Sequence, residues 1–284
     1  MKVFVTGFKG FLGNAFSKLL LQHSYEVVGY DLPEDIRDRE KVSASVNGCD
    51  CVFHFAAVAD LNYARLHPYE TLDINIMGTA SVAEACSKHN VPLNFISTGC
   101  VYGNNGVSVS DEESPKHPTE IYAYSKLAAE QIVEAYHVND GLNYNILRPS
   151  TFYGPNMRKE LAIYIFLECA KNNKPLLIHG SGKQTRTFTY IDDVVDALLK
   201  CVDKPLNQTF NVAGTEETSI LDLAHNCCRV VGFAPPIRHI EDRHGQIFHE
   251  AVSIEKAQKL LGWTPKWNLD KGLEATYQWI CQQK

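Results

Sequence analysis

Tyrosine and lysine stand four positions apart in the stretch YAYSK, as Tyr122 and Lys126. On a helix, that spacing puts both side chains on one face, about one turn apart. A cation close to a phenol favours the phenolate and lowers a pKa that is ordinarily about 10. Such a pair would provide a base that works near neutral pH. An ordinary amphipathic surface turn is the alternative, and the pair alone favours that alternative.

A glycine pattern near the start of the chain predicts a nucleotide site. Gly7, Gly10 and Gly13 in TGFKGFLG follow a predicted strand and open a predicted helix. This pattern allows a tight turn, close approach of the backbone to a pyrophosphate, and free N–H groups at a helix N-terminus. Asp31 ends the next predicted strand, where a carboxylate would accept hydrogen bonds from an adenosine ribose and repel a 2′-phosphate. We therefore expect NAD and not NADP, although a sharp turn and a solvated aspartate would fit the same residues.

Short apolar runs alternate with stretches of helical spacing in the first half of the chain. Strands are predicted at 2–7, 26–31, 49–57, 94–98 and 143–150, and helices at 11–23, around 71–89 and at 121–138. This order is typical of an α/β protein, a parallel sheet with helices on both faces. After residue 150 the alternation loosens, with one more strand signal at 208–214. We expect a second, smaller lobe there, interleaved with the first.

Composition restricts the classes of protein to which the chain can belong. The 284 residues are 45% hydrophobic and 21% charged, with a net charge of −6, as in an ordinary soluble globular protein. Basic residues form no run, so we expect neither nucleic acid nor membrane as a partner. Met1 leads directly into the first strand, and no stretch approaches the ~18 apolar residues of a membrane span. The nine cysteines include no CxxC pair, so we expect a cytoplasmic protein without a metal site or disulfide framework.

The motifs occur together in an order that resembles the extended short-chain dehydrogenases/reductases, and more narrowly the nucleotide-sugar epimerases and dehydratases such as UDP-glucose 4-epimerase. They are TGFKGFLG, DCVFHFAA, NIMGT, STGCVYG, the Tyr122–Lys126 pair, LRPSTFYGP, GSGKQTRTFTYIDDVVDAL, FNVAG and EKAQKLLGWTPKW. The resemblance covers essentially the whole chain. It implies a Rossmann-type doubly wound parallel sheet with a smaller C-terminal α+β substrate-binding lobe. Residues 1–150 would form the NAD-binding domain, with 187–212 folding back onto it, and 151–284 mainly the substrate-binding lobe.

The resemblance also implies which residues hold NAD. The expected set is Gly7, Gly10, Phe11, Leu12, Gly13, Asp31, Asp35, Ile36, Phe55, Ala56, Ala57, Ala59, Asn75, Tyr122, Lys126, Pro149 and Ser150. Within it, Asp35 and Ile36 would hold the adenine, and Asn75 would support the active-site hydrogen bonds. Close packing of a strand on a helix is the alternative for the small residues at 56–59, and a local helix cap is the alternative for Asn75. His54 points away from its neighbours in a buried strand, and we assign it to structure.

Thr98, Tyr122 and Lys126 match the catalytic triad of the family. The resemblance implies that Thr98 donates a hydrogen bond to a sugar oxygen while Tyr122 takes or gives the proton of that oxygen. Lys126 would stabilise the phenolate and hold the nicotinamide ribose. The residues expected to bind substrate are Thr98, Tyr122, Thr151, Arg186 and Arg243, with the two arginines on the nucleotide diphosphate. Thr151 stands where the family usually has asparagine, which leaves the substrate class open.

The two residues after Thr98 separate the subfamilies. In 4,6-dehydratases an aspartate and a glutamate follow the threonine, whereas Gly99 and Cys100 follow it here, so we do not expect dehydration. Enzymes that epimerise next to a keto group, similar to the fucose-forming epimerase-reductase, carry a cysteine at the position of Cys100. A thiol, with a pKa of ~8.5, can exchange a carbon-bound proton there. Cys100 is therefore a candidate catalytic residue, with an inert thiol as the alternative.

The resemblance favours an NAD-dependent 4-epimerase of a nucleoside-diphosphate sugar, acting through a 4-keto intermediate. The alternatives are an NAD(P)H-dependent 4-keto-sugar reductase or 3,5-epimerase-reductase, and a non-catalytic dinucleotide-binding protein. The predicted helices 71–89 and 121–138 resemble the pair that forms a four-helix dimer interface in this family, so we expect a homodimer. The nucleotide base, the sugar and the reacting carbon are not given by the motifs.

Overall fold

A six-stranded sheet forms the centre of the computed structural model, which describes residues 1–243 and 245–283. Its strands are β1 (Lys2–Thr6), β2 (Glu26–Tyr30), β3 (Cys51–His54), β4 (Leu93–Ile96), β5 (Tyr144–Pro149) and β9 (Gln208–Val212). They lie in the order β2-β1-β3-β4-β5-β9, and every neighbouring pair is parallel. The order reverses beside β1, and ligands of open parallel sheets bind at the carboxyl ends of strands next to such a reversal.

Helices cover both faces of this sheet. In the first half of the chain they are α1 (Phe11–Gln22), α2 (Arg39–Val46), α3 (Leu61–Leu66), α4 (Pro68–Leu72), α5 (Gly78–His89) and α6 (Ile121–Asp140). A π-helical turn, Asp73–Met77, joins α4 to α5, and a 3₁₀ turn, Gly99–Val101, follows β4. Val3 and Val5 belong to one apolar core and Phe4 to another, because successive side chains of a strand point to opposite faces. The sheet is thus buried on both sides, as parallel sheets usually are.

In the second half of the chain, the described residues add two small sheets and five helices. The strands are β6 (Thr151–Tyr153), β7 (Leu176–His179), β8 (Thr185–Tyr190), β10 (Glu217–Ser219) and β11 (Ile237–Ile240). They form a three-stranded sheet in the order β10-β8-β6 and a two-stranded sheet of β11 and β7. The helices are α7 (Ala162–Lys171), α8 (Ile191–Leu199), α9 (Ile220–Val231), α10 (Glu255–Leu261) and α11 (Leu269–Gln282). Because β6 directly follows β5 and pairs with β8, the small sheet starts at the carboxyl edge of the large one.

The predicted α/β fold class and its parallel sheet are confirmed, and each predicted strand overlaps an observed one. The domain boundary at residue 150 stays a prediction. None of the five small-sheet strands was predicted, nor were the helices α2, α3 and α7 to α11. A π-helical turn also interrupts the predicted helix around 71–89. Among residues 1–243 and 245–283, no helix is long and apolar enough to cross a bilayer, and no cluster of His, Cys, Asp or Glu could hold a metal ion. All nine cysteines are free thiols.

Candidate active site

The turn between β1 and α1 has the form of a diphosphate cradle. Gly7 has a φ of 65°, and a Cβ on it would lie 2.7 Å from the backbone nitrogen of Ala56. A Cβ on Gly13 would collide with the carbonyl oxygen of Gly7. The N-cap residue of α1, Gly10, provides no side-chain cap, and the first turn contains no acidic residue. The N–H groups at the start of α1, including those of Phe11 and Leu12, therefore remain free for an anion.

Asp31 lies beside this cradle, at the first position after β2. Its Oδ2 accepts a hydrogen bond of 2.7 Å from the N–H of Lys9, and its Oδ1 accepts one of 2.8 Å from the N–H of Leu32. The carboxylate is thereby fixed next to the glycine turn, at the place where the ribose of a dinucleotide bound to that turn would lie. The glycine turn and Asp31 together fit NAD, which would be held by the cradle at its pyrophosphate.

The two residues predicted to hold the adenine, Asp35 and Ile36, lie in different environments. Ile36 is buried, and its Cγ2 would lie 2.6 Å from a Cβ on Gly78, so it fills the space above α5. The carboxylate of Asp35 instead receives a hydrogen bond of 2.9 Å from Nε of Arg37. Hydrogen bonds from Arg37 lower the pKa of Asp35 to about 2. Ile36 is thus positioned as an apolar wall, and Asp35 as the partner of an arginine.

The segment 55–60 and α6 are tied together by Asn75, which lies in the π-helical turn. Its Oδ1 accepts from the N–H of Val58 at 2.8 Å, and its Nδ2 donates to the carbonyl of Val58 at 3.0 Å. The same Nδ2 donates to Oγ of Ser125 at 2.8 Å. The N–H groups of Phe55 and Ala56 both donate to Oγ1 of Thr6 at 3.1 Å. The half-buried segment with Ala57 and Ala59 is therefore held at a fixed distance from the helix that carries Tyr122.

His54 is a structural residue, as predicted. Its Nδ1 lies 2.7 Å from Oγ1 of Thr6, and its Nε2 lies 3.1 Å from Oγ1 of Thr79. Burial, with a further contribution from the charge of Lys126, lowers the pKa of His54 to about 3. The ring is therefore neutral and fully engaged between β1 and α5.

Tyr122 and Lys126 lie on α6, and Thr98 lies just beyond the end of β4. Oγ1 of Thr98 accepts a hydrogen bond of 3.2 Å from the N–H of Cys100. Burial raises the pKa of the Tyr122 phenol, and Thr98 lies close enough to oppose that rise. Nζ of Lys126 lies 4.1 Å from the ring centroid of Phe95. Burial lowers the pKa of Lys126 to about 7, against the opposing effect of Glu130. The structure thus brings the three predicted catalytic residues to one edge of the sheet.

The predicted lowering of the phenol pKa by Lys126 is wrong for the protein's own groups. Burial raises the pKa of Tyr122 above its ordinary value, and the thiol of Cys100 adds to this shift. Arg158 and Thr98 oppose it, and Lys126 is not among the groups that contribute. The spacing of Tyr122 and Lys126 places both on one face of α6, but it carries no information on burial, which dominates the pKa of the phenol.

Cys100 is placed close to the triad, but its thiol is held in the protonated form. Burial and the negative charge of Glu250 raise the pKa of Cys100 to about 11, against opposing effects of Thr98 and Arg186. At neutral pH, a thiol with this pKa exists almost entirely as S–H and is a weak base. Its predicted catalytic role stays a prediction.

Pro149, Ser150 and Thr151 pass from β5 into β6. Oγ of Ser150 donates to the carbonyl of Thr187 at 2.8 Å and lies 3.0 Å from Oγ1 of Thr189, so this side chain fastens β8. The backbone groups of Pro149 and Ser150 are therefore the ones available to bind a cofactor. Thr151 is half-buried, and its N–H faces the carboxylate of Glu250.

The two predicted substrate arginines border the same region. Nη1 of Arg186 donates to the carbonyls of Thr185 at 2.6 Å and Ile247 at 2.8 Å. Burial raises the pKa of the Glu120 carboxyl at the start of α6, and the positive charges of Arg243 and Arg186 both oppose that rise. Arg186 and Arg243 therefore lie on one side of the site, around Glu120.

Glu250 was not predicted as a site residue. It is buried, and its Oε2 lies 3.3 Å from Nε of Arg186. Its segment has neither helical nor strand spacing, and its partner is far away in sequence, so no local pattern could have identified it. Nη1 of Arg158 lies 3.8 Å from Oδ2 of Asp60, so this arginine lies against the segment 55–60.

Comparison with known proteins agrees with this site. The profile of the NAD dependent epimerase/dehydratase family matches residues 3–213. The chain is 30% identical to an uncharacterized UDP-glucose epimerase of Bacillus subtilis, over 96% of each chain. It is 29% identical to a putative UDP-glucose 4-epimerase of Methanocaldococcus jannaschii, over 98% of each chain.

Two solved structures are similar over nearly the full length. One is the UDP-glucose 4-epimerase of Thermotoga maritima with UDP-glucose, with a TM-score of 0.95, 27% identity and 99% of each chain covered. The other is the UDP-glucuronic acid 4-epimerase of Bacillus cereus in complex with UDP-glucuronic acid and NAD, with a TM-score of 0.94, 30% identity and 100% of each chain covered. The predicted family, enzyme class and NAD cofactor are confirmed. The chain belongs to the NAD-dependent epimerase/dehydratase family of extended short-chain dehydrogenases/reductases.

Proposed function

We propose that this protein inverts the configuration at C4 of a UDP-sugar, through a transient 4-keto sugar and with tightly held NAD. The observation that carries the proposal is the meeting of Thr98 with Tyr122, one helical turn from Lys126, at the carboxyl edge of a sheet whose first turn fits a dinucleotide. The uridine base is inferred from the names of the relatives and of the solved structures.

Each member of the triad has a defined task in this reaction. NAD, which the turn of Gly7 and Gly13 and the carboxylate of Asp31 would hold, would supply the hydride chemistry at C4. The oxygen of Tyr122 takes the proton of the C4 hydroxyl during oxidation and gives it back during reduction, while Thr98 holds the same sugar oxygen. Because burial lowers the pKa of Lys126 to about 7, this amine can gain or lose a proton near neutral pH and so support either protonation state of Tyr122.

The residues after Thr98 favour 4-epimerisation over the other reactions of the family. Gly99 and Cys100 provide no carboxyl group at the positions where the resemblance implies acids for water elimination. A 3,5-epimerase-reductase would need a base that removes a carbon-bound proton. With its pKa raised to about 11, Cys100 is poorly suited to that step.

We also propose that the protein acts as a homodimer. Large apolar side chains are exposed on the helices expected at the interface or just before them: Tyr69 on α4, Met77 in the π-helical turn, and Tyr124 and Val138 on α6. Association through these helices would bury them and would hold α6, with Tyr122 and Lys126, against a partner.

Proton NMR of candidate substrates without added cofactor tests the function. UDP-glucose, UDP-galactose, UDP-glucuronic acid and dTDP-glucose are each incubated with the purified protein. We expect the C4 proton of one UDP-sugar to change its coupling pattern, as inversion requires, and the denatured protein to release NAD. Tyr122→Phe should lower the rate by at least about 10²-fold, while Tyr124→Phe, a change at the exposed tyrosine of the same helix, should leave it unchanged. Stoichiometric consumption of added NADH by a 4-keto-6-deoxy sugar, without inversion of any of the four sugars, would instead establish a reductase.

A further inference from the structure

The carboxyl group of Glu250 is an unusual buried acid at the substrate end of the site. Neither of its oxygens receives a hydrogen bond of good geometry from the described residues. The donors that face it are the guanidinium of Arg186, with Nε 3.3 Å from Oε2, and the N–H of Thr151. A Cβ on Gly99 would lie 3.1 Å from Oε1, so the missing side chain of Gly99 makes room for this carboxyl. An ionised carboxylate in such a place is stabilised mainly by one cation.

Arg186 is held so that one edge of its guanidinium remains available. Its side chain is 17% exposed, Nη1 donates to two backbone carbonyls, and Nε faces Glu250. A guanidinium has five N–H donors, and these contacts use the three on Nη1 and Nε. Among the described residues, Nη2 makes no hydrogen bond. This remaining edge can bind an oxyanion, as the predicted contact with a diphosphate requires.

A diphosphate at Nη2 would compete with Glu250 for the same positive charge. Burial already raises the pKa of Glu250, and Arg186 followed by the N–H of Thr151 opposes that rise. Among the residues that the structure describes, the Cys100 thiol also faces this carboxyl, and Glu120 and Arg243 lie beyond Arg186. Negative charge brought to the guanidinium disfavours the ionised carboxylate further.

We propose that Glu250 is a positioning residue of the diphosphate subsite: it fixes the guanidinium of Arg186 and takes up a proton from solution when the diphosphate of a nucleotide sugar binds. This inference rests on the proposed function, which supplies the nucleotide. Binding and protonation are then linked. Affinity for the nucleotide sugar rises as pH falls, until Glu250 is already protonated before binding. Removing the charge of Glu250 strengthens binding, the opposite of what the loss of a purely structural residue would do.

Isothermal titration calorimetry measures this proton uptake directly. UDP-glucose is titrated into the NAD-loaded Tyr122→Phe protein, which prevents turnover, at one slightly alkaline pH in buffers of different ionisation enthalpy. The slope of the observed enthalpy against the buffer enthalpy gives the number of protons taken up. We expect net uptake of up to one proton per site with UDP-glucose and none with uridine, which lacks the diphosphate.

The variant Glu250→Gln, made in the same Tyr122→Phe protein, keeps the size of the side chain and removes its charge. We expect it to take up no proton and to bind UDP-glucose about three- to tenfold more tightly. Glu217→Gln is the matched control, because Glu217 lies on β10, which pairs with the strand of Arg186, and its carboxylate contacts His249 instead. We expect it to behave like its parent.

The outcomes separate this inference from the proposed function. Proton uptake that persists in Glu250→Gln, binding that weakens in this variant, or absence of uptake in the parent would overturn the role of Glu250 while leaving the epimerase intact. If Glu250→Gln does not fold, equal uptake with UDP-glucose and uridine in the parent would overturn it. Failure of the parent to bind UDP-, dTDP- and GDP-sugars alike would overturn both.

Discussion

The side-chain amide of Asn75 donates a hydrogen bond of 2.8 Å to the hydroxyl of Ser125 and so joins the π-helical turn to the catalytic helix. Ser125 in turn donates to the carbonyl of Tyr122 at 2.7 Å. The same asparagine pairs with both backbone groups of Val58. One buried residue therefore sets the distance between the segment expected to line the cofactor and the helix that supplies the base.

Replacement of Asn75 by alanine should impair both stability and turnover. Because two side-chain bonds to Val58 and one to Ser125 are lost inside the protein, we expect a decrease of about 2–4 kcal/mol in the free energy of unfolding in urea. We also expect a lower kcat, since the segment around Val58 would no longer be fixed relative to Tyr122. Ser125→Ala is the control, with a smaller effect, because it leaves the bonds to Val58 in place. Equal effects of the two changes would contradict this role for Asn75.

Lys126 should contribute a pH-dependent penalty to stability. Burial lowers its pKa to about 7, whereas the pKa in the unfolded chain is about 10.4. Between these values the unfolded state binds more protons, so this group makes the native protein more stable as pH rises from about 7 to 10, and its full penalty applies below that range. We expect Lys126→Met to be more stable than the parent at pH 6 by up to about 4 kcal/mol, an advantage that shrinks towards pH 10.

The free energy of unfolding is measured for the parent and for Lys126→Met at several pH values, and the difference between the two is taken. The titrations of tyrosines and cysteines occur in both proteins and therefore cancel in this difference. A difference that does not change with pH would show that folding does not lower the pKa of Lys126.

Asp31 should set the preference for NAD over NADP. Replacement by asparagine removes the negative charge next to the glycine turn, where Asp31 accepts from Lys9 and Leu32. We expect the affinity for NAD to fall about 10- to 100-fold and the ratio of NADP to NAD binding to rise. Asp35→Asn is the matched control, because that carboxylate is already bound by Arg37. A similar rise of the ratio in both variants would argue against a specific role for Asp31.

Glu130 and Arg148 form a buried ion pair beside Lys126, and the charge of Glu130 favours the protonated form of the lysine. Nε and Nη2 of Arg148 lie 2.9 Å and 2.7 Å from the two carboxylate oxygens of Glu130, one helical turn after Lys126. Glu130→Gln leaves the arginine charge buried and should cost about 3–5 kcal/mol in thermal or urea unfolding. Because Glu130 raises the pKa of Lys126, the variant should also move the alkaline limb of the kcat profile to lower pH. A second change, Arg148→Met, should restore part of the stability but not the pH profile.

The proposed homodimer can be tested by measuring its mass in solution. Sedimentation equilibrium should give twice the mass of the chain, and Tyr69→Glu should shift the protein towards monomer. Leu21→Glu, at an exposed apolar residue of α1 outside those helices, should not. A monomer at all concentrations of the parent would refute the dimer.

Features encoded within a few consecutive residues could be predicted from the sequence. The glycine turn, the strand before it and the Tyr122–Lys126 face all depend on local spacing. Helix α2 was not predicted because only Val42 and Val46 among its residues are buried, which gives almost no periodic pattern. The missed strands of the second half are three to six residues long, too short to show a period.

The electrostatics of the site could not be predicted for a different reason. The pKa of Tyr122 depends on its burial, which is decided by the packing of distant segments. The same holds for Glu250, whose only cationic partner, among the described residues within ion-pair distance, is Arg186 on the distant strand β8. Residue types in a motif identify the chemistry that is available, but the environment that tunes it comes from tertiary contacts.

The π-helical turn at Asp73–Met77 has a consequence for insertions and deletions. A π-helical turn accommodates one more residue than the same stretch of α-helix, and each residue of an α-helix advances the chain by about 100°. Deleting a single residue here would leave a regular helix that forms easily. The side-chain amide of Asn75, however, would rotate away from Val58. Local helix propensity alone would favour the shorter, regular helix. The extra residue is needed because it sets the direction in which the side chain of Asn75 reaches Val58.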